Sequence, residues 1–198
     1  PPSMLGRYAH ELSGGQCQRI LIAMAFSGDP ELIVADEPTT ALDVITQAQI
    51  IRILREVQQR HQTAVILITH DLRMAAHVCD EVAVLYAGDV VEQGPAADVL
   101  DMPLHPYSWA LKNATPALNG PLYALPSLAD IMPGLKDMRD LPGCRFARRC
   151  PTRNASCEQR APALAAVKPG HWVSCAGPCM TGDVAAQGQL HVLPQAPS

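Results

Sequence analysis

The chain has 198 residues, seven of them cysteine, with a formal charge of −4, 17% charged side chains and 48% hydrophobic ones. That length suits a single α/β domain, or part of a larger one carrying an extension, and the mild acidity offers no basic surface for nucleic acid. No apolar run reaches the roughly 18 residues a membrane-spanning helix needs, and Pro1-Pro2-Ser3-Met4 has no signal-peptide pattern, so a cytosolic location is expected. The first residue is not Met and motifs begin almost at once, which reads as a fragment.

The first motif is Glu11-Leu12-Ser13-Gly14-Gly15-Gln16. It sets a glycine turn before a helical pattern with Ile20, Leu21, Ala23, Met24 and Phe26 apolar and Gln16, Gln18 and Arg19 opposite, stopped by Gly28-Asp29-Pro30. A helix start with unpaired amides, a positive dipole end, glycines and a serine hydroxyl is a phosphate seat, although alone it equally describes an ordinary Ser-capped helix. Leu32-Ile33-Val34-Ala35 is a short apolar run ending in Asp36-Glu37-Pro38, the pattern of a strand buried on both faces with its carboxyl end exposed. At that end Asp36 would hold Mg²⁺ and Glu37 would face a water.

A helix is expected from about Val44 to Arg60, with Ile50, Ile51, Ile53, Leu54 and Val57 as its inward stripe. A second apolar strand, Ala64-Val65-Ile66-Leu67-Ile68, leads to Thr69-His70-Asp71. A helix over Leu72–Cys79 and a strand over Glu81–Tyr86 follow, and alternation of this kind predicts parallel pairing with sites beyond the carboxyl ends of the strands. Ala87-Gly88-Asp89 reads as a tight turn into Val90-Val91-Glu92, an antiparallel hairpin. After Asp98 the composition shifts to prolines and small residues. Pro103 to Leu111 then reads as a turn into a short helix with Pro106 in its first turn.

Cys144, Cys150, Cys157 and Cys175 are separated by five, six and seventeen residues, with Cys179 just beyond. In a reducing compartment such thiols suit a [4Fe–4S] cluster or tetrahedral Zn²⁺, with His171 as a substitute ligand for zinc; reduced cysteines without metal are the plainer alternative. The sparse apolar content of this stretch predicts weak secondary structure and a need for a staple. Arg145, Arg148 and Arg149 would offset cluster charge or form a solvated face. Cys17 and Cys79 read as core residues, and Tyr8 as packing beside the first helix. His10, His61, His77 and His105 read as surface or packing residues.

Ser13-Gly14-Gly15-Gln16, Asp36-Glu37, Thr39-Thr40-Ala41-Leu42-Asp43 and His70 resemble, in order and spacing, the signature motif, Walker B strand with catalytic glutamate, D-loop and switch histidine of ABC transporter ATPases. Gly94-Pro95, the His105-Pro106-Tyr107 segment and the Cys-rich end resemble the oligopeptide and dipeptide importer branch, which nickel and other small-solute importers share. The implied fold is α/β: part of a P-loop NTPase core over 1–98, with a parallel sheet flanked by helices, then an irregular Cys-rich extension over 99–198. The resemblance implies ATP and Mg²⁺ as ligands and favours an iron–sulfur cluster at the cysteines. It implies a homo- or heterodimer of ATPase subunits at the cytoplasmic face of the membrane, with transmembrane permease subunits and, indirectly, an extracytoplasmic peptide-binding protein.

In that arrangement Ser13, Gly14, Gly15 and Gln16 would meet a partner's ATP and Asp43 would cross the interface, while Glu37 would act on water and His70 on the γ-phosphate. No Gly-x-x-x-x-Gly-Lys-Ser/Thr loop occurs in the sequence, so the isolated chain is expected to lack ATP turnover, while the resemblance implies a parent subunit that couples ATP hydrolysis to uptake of di- or oligopeptides; the alternative is a non-catalytic piece that offers only its signature helix to a partner ATPase.

Overall fold

The computed structural model describes residues 5–114, 134 and 140–177. Pro1–Met4 and Cys179 lie outside the described residues. The chain divides into two compact units, Pro1–Val78 and Cys79–Ser198.

In the first unit a 3₁₀ turn, Ala9–Glu11, precedes α1 (Gly14–Phe26), and β1 (Leu32–Asp36), α2 (Val44–His61), β2 (Ala64–Ile68) and α3 (Leu72–Val78) follow. β1 and β2 pair in parallel, in register from Leu32 opposite Ala64 to Asp36 opposite Ile68. Alternation of side chains sends Ile33, Ala35 and Val65 to one face, where they pack on Ile22 and Phe26 of α1 and Ile50 and Leu54 of α2. Ile50 is completely buried there. α2 starts where the Asp43 side chain accepts the Thr46 amide and ends at Gln62, whose φ of 55° breaks the helix.

α1 meets α2 most closely at Gly15, where an added Cβ would lie 2.6 Å from the Thr46 methyl carbon. Thr46 cannot rotate away freely, because its hydroxyl donates to Asp43 at 2.6 Å. Arg19 bridges the same two helices by donating to Gln49 Oε1 at 2.7 Å. The residue at this glycine is therefore set by packing as much as by any anion. Tyr8, expected to pack beside α1, is instead 72% exposed and stacks on the His10 ring at 5.6 Å.

The second unit is built on a sheet of β3 (Glu81–Tyr86), β4 (Asp89–Pro95), β5 (Ala165–Lys168) and β6 (His171–Val173), ordered β3-β4-β6-β5. All of its pairings are antiparallel, so parallel pairing stops at β2 among the described residues. The reason is the connection between β3 and β4. Ala87 and Gly88 both have positive φ, 52° and 89°, the left-handed pair that folds a tight hairpin back on itself. α4 (Ala96–Asp101) and α5 (Pro106–Ala114) follow β4, so the composition shift at Asp98 falls inside a helix.

The stretch expected to be irregular is more ordered than its composition suggests. It holds a 3₁₀ turn (Ala147–Arg149), α6 (Ala155–Gln159), β5 and β6. Phe146, 1% exposed, packs with Val84, Tyr86, Val91 and Val99. Tyr86 and Tyr107 meet its ring at centroid distances of 5.1 and 5.4 Å. A single large aromatic side chain thus supplies much of the order that the sparse apolar content withheld. Arg145 pins the hairpin turn, donating to the Ala87 carbonyl and pairing with Asp89 at 3.1 Å.

The polar centre of this unit is Glu92, fully buried on β4. Its Oε1 accepts from the Leu104 amide and from His171 Nε2, both at 2.8 Å, and its Oε2 accepts from the His105 amide at 2.9 Å. One carboxylate therefore joins β4 to the Leu104-His105-Pro106 turn and to β6. His105, 1% exposed, accepts the Tyr107 amide at Nδ1, and burial pushes its imidazole down to about 4. The neutral ring suits that acceptor role. Glu92→Ala leaves three donors unmatched, two of them buried, and should cost about 3–5 kcal/mol of stability. Urea unfolding measures the loss, and hydrogen exchange at the Leu104 and His105 amides should accelerate in the variant.

Candidate nucleotide site

The acids of β1 emerge at the carboxyl end of the parallel pair, where the strand register leaves Asp36 level with Ile68. Asp36 is exposed. Glu37 turns out of the strand with a φ of 45°, a conformation that costs a non-glycine residue energy and is retained where the surroundings dictate it. Here the last residue of β2 and the histidine two positions beyond it do so. The Glu37 amide donates to the Ile68 carbonyl at 2.9 Å, and the Glu37 carboxylate accepts from His70.

His70 Nδ1 lies 2.7 Å from Glu37 Oε1, and the His70 amide donates to the same oxygen at 3.2 Å. Thr40 donates its hydroxyl to Oε2 at 3.1 Å. Thr40 was not singled out from the sequence; its place three residues after Glu37 in the same turn is the signal that it folds back on the carboxylate. The His70 hydrogen bond, helped by that of Thr40 and by the imidazole charge, holds Glu37 below the usual carboxylate range. The same bond, helped by the charges of Glu37 and Asp71, raises His70 above the ordinary histidine value. With Nδ1–H on the carboxylate, Nε2 is left for another group, and the His70 side chain is 85% exposed.

Ser13 caps α1. Its Oγ accepts the Gln16 amide at 3.3 Å, and Gln16 Oε1 accepts the Ser13 amide at 3.0 Å. Gln16 is thereby engaged in the cap, while the Ser13 hydroxyl proton stays available to an acceptor in solvent. Ser13 and Gly14 are exposed at the helix tip and Gly15 is buried against α2. Asp43, exposed, is held by Thr46 through amide and hydroxyl at 2.9 and 2.6 Å, contacts that lower its carboxyl below the ordinary range. In this chain Asp43 acts first as the N-cap of α2. The structure brings Glu37, Thr40 and His70 together beside the strand end that carries Asp36, and among the described residues no hydrogen bond or ion pair joins them to the Ser13–Gln16 tip.

Cys144, Cys150, Cys157 and Cys175 are all half-buried and unpaired by disulfides. They are neighbours: the Cys144 amide donates to the Cys157 carbonyl at 2.7 Å, and the charge of each thiolate would be felt by others of the set. Burial pushes the Cys144 and Cys150 thiols up, and Cys175 up to about 11, with mutual repulsion adding to the effect. Yet among the described residues no three His, Cys, Asp or Glu side chains are arranged to hold a metal ion. His171, the substitute zinc ligand, spends Nε2 on Glu92, and its Nδ1 is buried without a hydrogen-bond partner among the described residues. Arg145 and Arg149 serve the hairpin and its aromatic neighbour, Arg149 donating to the Tyr86 hydroxyl at 3.4 Å.

The Glu37–His70 contact has a defined pH window. The lowered carboxyl makes its contribution vanish as pH falls through the folded-state value of Glu37, and the raised imidazole makes it vanish as pH rises through that of His70. Glu37→Gln should therefore lower the His70 titration midpoint toward that of an ordinary histidine, as followed by NMR of the imidazole protons. An unchanged midpoint would contradict the pairing.

Residues 91–157 match the family model described as "Oligopeptide/dipeptide transporter, C-terminal region", and residues 2–40 match "ABC transporter". The chain is 46% identical over 176 residues to the "Probable peptide ABC transporter ATP-binding protein" of Sinorhizobium fredii, covering 88% of this chain and 52% of that one. It is 45% identical over 175 residues to the dipeptide transport ATP-binding protein of Escherichia coli, covering 88% of this chain and 53% of that one. The chain thus spans about half the length of the curated relatives it matches. The chain is thus similar, over most of its length, to ATP-binding proteins of ABC transporters, and within them to the oligopeptide/dipeptide branch.

Proposed function

We propose that the chain supplies the catalytic acids and the signature helix of an ATP-binding subunit that couples ATP hydrolysis to uptake of di- or oligopeptides. The observation that carries this reading is the 2.7 Å bond between Glu37 and His70 beyond the ends of β1 and β2, with Asp36 beside it. Asp36 would hold Mg²⁺, which supplies charge neutralisation at the transferring phosphoryl group. Glu37, kept ionised by His70 and Thr40, orients and deprotonates the attacking water. His70 holds Glu37 with Nδ1 and presents Nε2 to a γ-phosphate oxygen.

The Ser13 hydroxyl and the first amides of α1 form the other half of such a site, offered to an ATP held by a second subunit, with Asp43 at the boundary. Nucleotide chemistry of this kind depends on positioned charge, and the sequence holds no lysine-bearing phosphate loop to complete it. No helix among the described residues is long and apolar enough to cross a membrane. Peripheral attachment to permease subunits at the cytoplasmic face is the corresponding placement.

The test joins this chain covalently to the half of the Escherichia coli dipeptide relative that it does not match. The joined protein should hydrolyse ATP, and Glu37→Gln should lower turnover by about 10²–10³-fold while nucleotide binding persists. The 198-residue chain alone should show no turnover. Activity that survives Glu37→Gln would overturn the assignment.

The thiol set is the finer part of the proposal. Cys144, Cys150, Cys157 and Cys175 are near neighbours, which supports a shared [4Fe–4S] or Zn²⁺ site, but ligation requires them to draw closer and to lose protons that burial favours keeping. Protein purified without oxygen should carry iron or zinc that is lost in Cys144→Ser. Metal-free protein with an intact second unit would refute the site.

A further inference from the structure

The β3–β4 hairpin and the chain around Phe146 border a cavity of about 410 Å³ in the second unit, which no step of the nucleotide chemistry uses. That volume falls within the roughly 300–1,000 Å³ of small-molecule sites, toward the lower end. Part of its lining is apolar: Val91 and Phe146, both core residues, and Leu164, which stays 42% exposed. Another part is charged. Arg145 Nε pairs with Asp89 Oδ2 at 3.1 Å, the two side chains being 28 and 50% exposed. Arg145 also donates to the Ala87 carbonyl, so its guanidinium is anchored at two points and keeps further N–H donors of its planar fork. The lining is tied elsewhere too, since Ser174 donates its amide to the Val91 carbonyl at 2.9 Å and its hydroxyl to the Pro162 carbonyl at 2.8 Å. Among the described residues Cys144 borders the cavity, whereas Cys150, Cys157 and Cys175 do not, so this space is not the centre of the thiol set.

We propose that this cavity binds a small zwitterion with an apolar side chain, the chemistry of a free amino acid or a dipeptide. The ligand carboxylate pairs with the Arg145 fork, its ammonium with the Asp89 carboxylate, and its side chain packs on Val91, Phe146 and Leu164. Charge decides the class. A phosphate ester or nucleotide would bring two or more negative charges to one guanidinium with a carboxylate beside it, and a simple fatty acid would leave Asp89 without a cation of its own. A ligand with one charge of each sign answers both groups at once, and the anchored guanidinium and tied lining mean that little has to be ordered when it enters. The site lies wholly within the second unit, and its occupancy needs no nucleotide.

The experiment is calorimetric titration and amide-resolved NMR of the 198-residue chain with L-leucine and with leucyl-leucine. At least one of the two should bind with a Kd of about 1 mM or tighter, and the shifted amides should centre on Asp89, Arg145 and Leu164. Leucinamide, which lacks the carboxylate, and N-acetyl-leucine, which lacks the ammonium, should each bind at least about tenfold more weakly, because each leaves one charge of the pair unanswered. Asp89→Asn should weaken the zwitterion about tenfold and remove the discrimination against N-acetyl-leucine. Leu164→Ser, at a position already half in solvent, should weaken binding about fivefold with unchanged far-UV circular dichroism, and so serves even where Asp89→Asn loosens the hairpin. No binding of either probe at about 10 mM, equal binding of leucinamide and N-acetyl-leucine, shifts that fall outside the cavity, or an affinity unchanged by Leu164→Ser would overturn the site.

Discussion

Glu37 is where the first unit converts backbone geometry into chemistry. Its amide is tied to Ile68 and its carboxylate to His70, so both bonds depend on β2 lying parallel to β1 in the observed register. A slip of one residue would turn the apolar set of β1 over and carry the acids away from the histidine. The left-handed backbone at Glu37 is held against its own preference by these contacts, which is the usual way a site keeps a reactive side chain in a fixed orientation. The register in turn is specified by Ile33, Ala35 and Val65 on Ile22, Phe26, Ile50 and Leu54.

The second unit is organised by the opposite strategy, a buried acidic side chain rather than an exposed one. Glu92 draws three donors from two distant parts of the chain to a single carboxylate. A buried carboxylate adds little net stability when fully matched, but it penalises every arrangement in which a donor is misplaced. The Leu104-His105-Pro106 turn and β6 thereby gain a fixed relation to β4. Phe146 then closes the aromatic cluster with Tyr86, Tyr107 and His105 over that frame.

Much of the first unit was legible in the sequence because its signals are local. The apolar runs at 32–35 and 64–68, the cap at Ser13 and the stop at Gly28-Asp29-Pro30 each follow from a few adjacent residues. Asp36, Glu37 and His70 were placed correctly relative to strand ends for the same reason, as the structure sets them together. What escaped were contacts between residues far apart along the chain. Glu92 with His171 lies across 79 positions, and no periodicity announces it. β5 and β6 were hidden because the residues of one are all on the exposed side and the other has only three residues, too short for alternation to show. Gly15 also has a packing role that no local pattern announces: its missing side chain makes room for Thr46.

That tight fit between Gly15 and Thr46 ties together two places that would otherwise be independent. The serine that crowns α1 and the aspartate that crowns α2 stand at neighbouring helix beginnings, clamped by Arg19 to Gln49 and by a contact with no slack for even a methyl group. The two helix beginnings are therefore held at one spacing, and α1 has no room to move toward the start of α2.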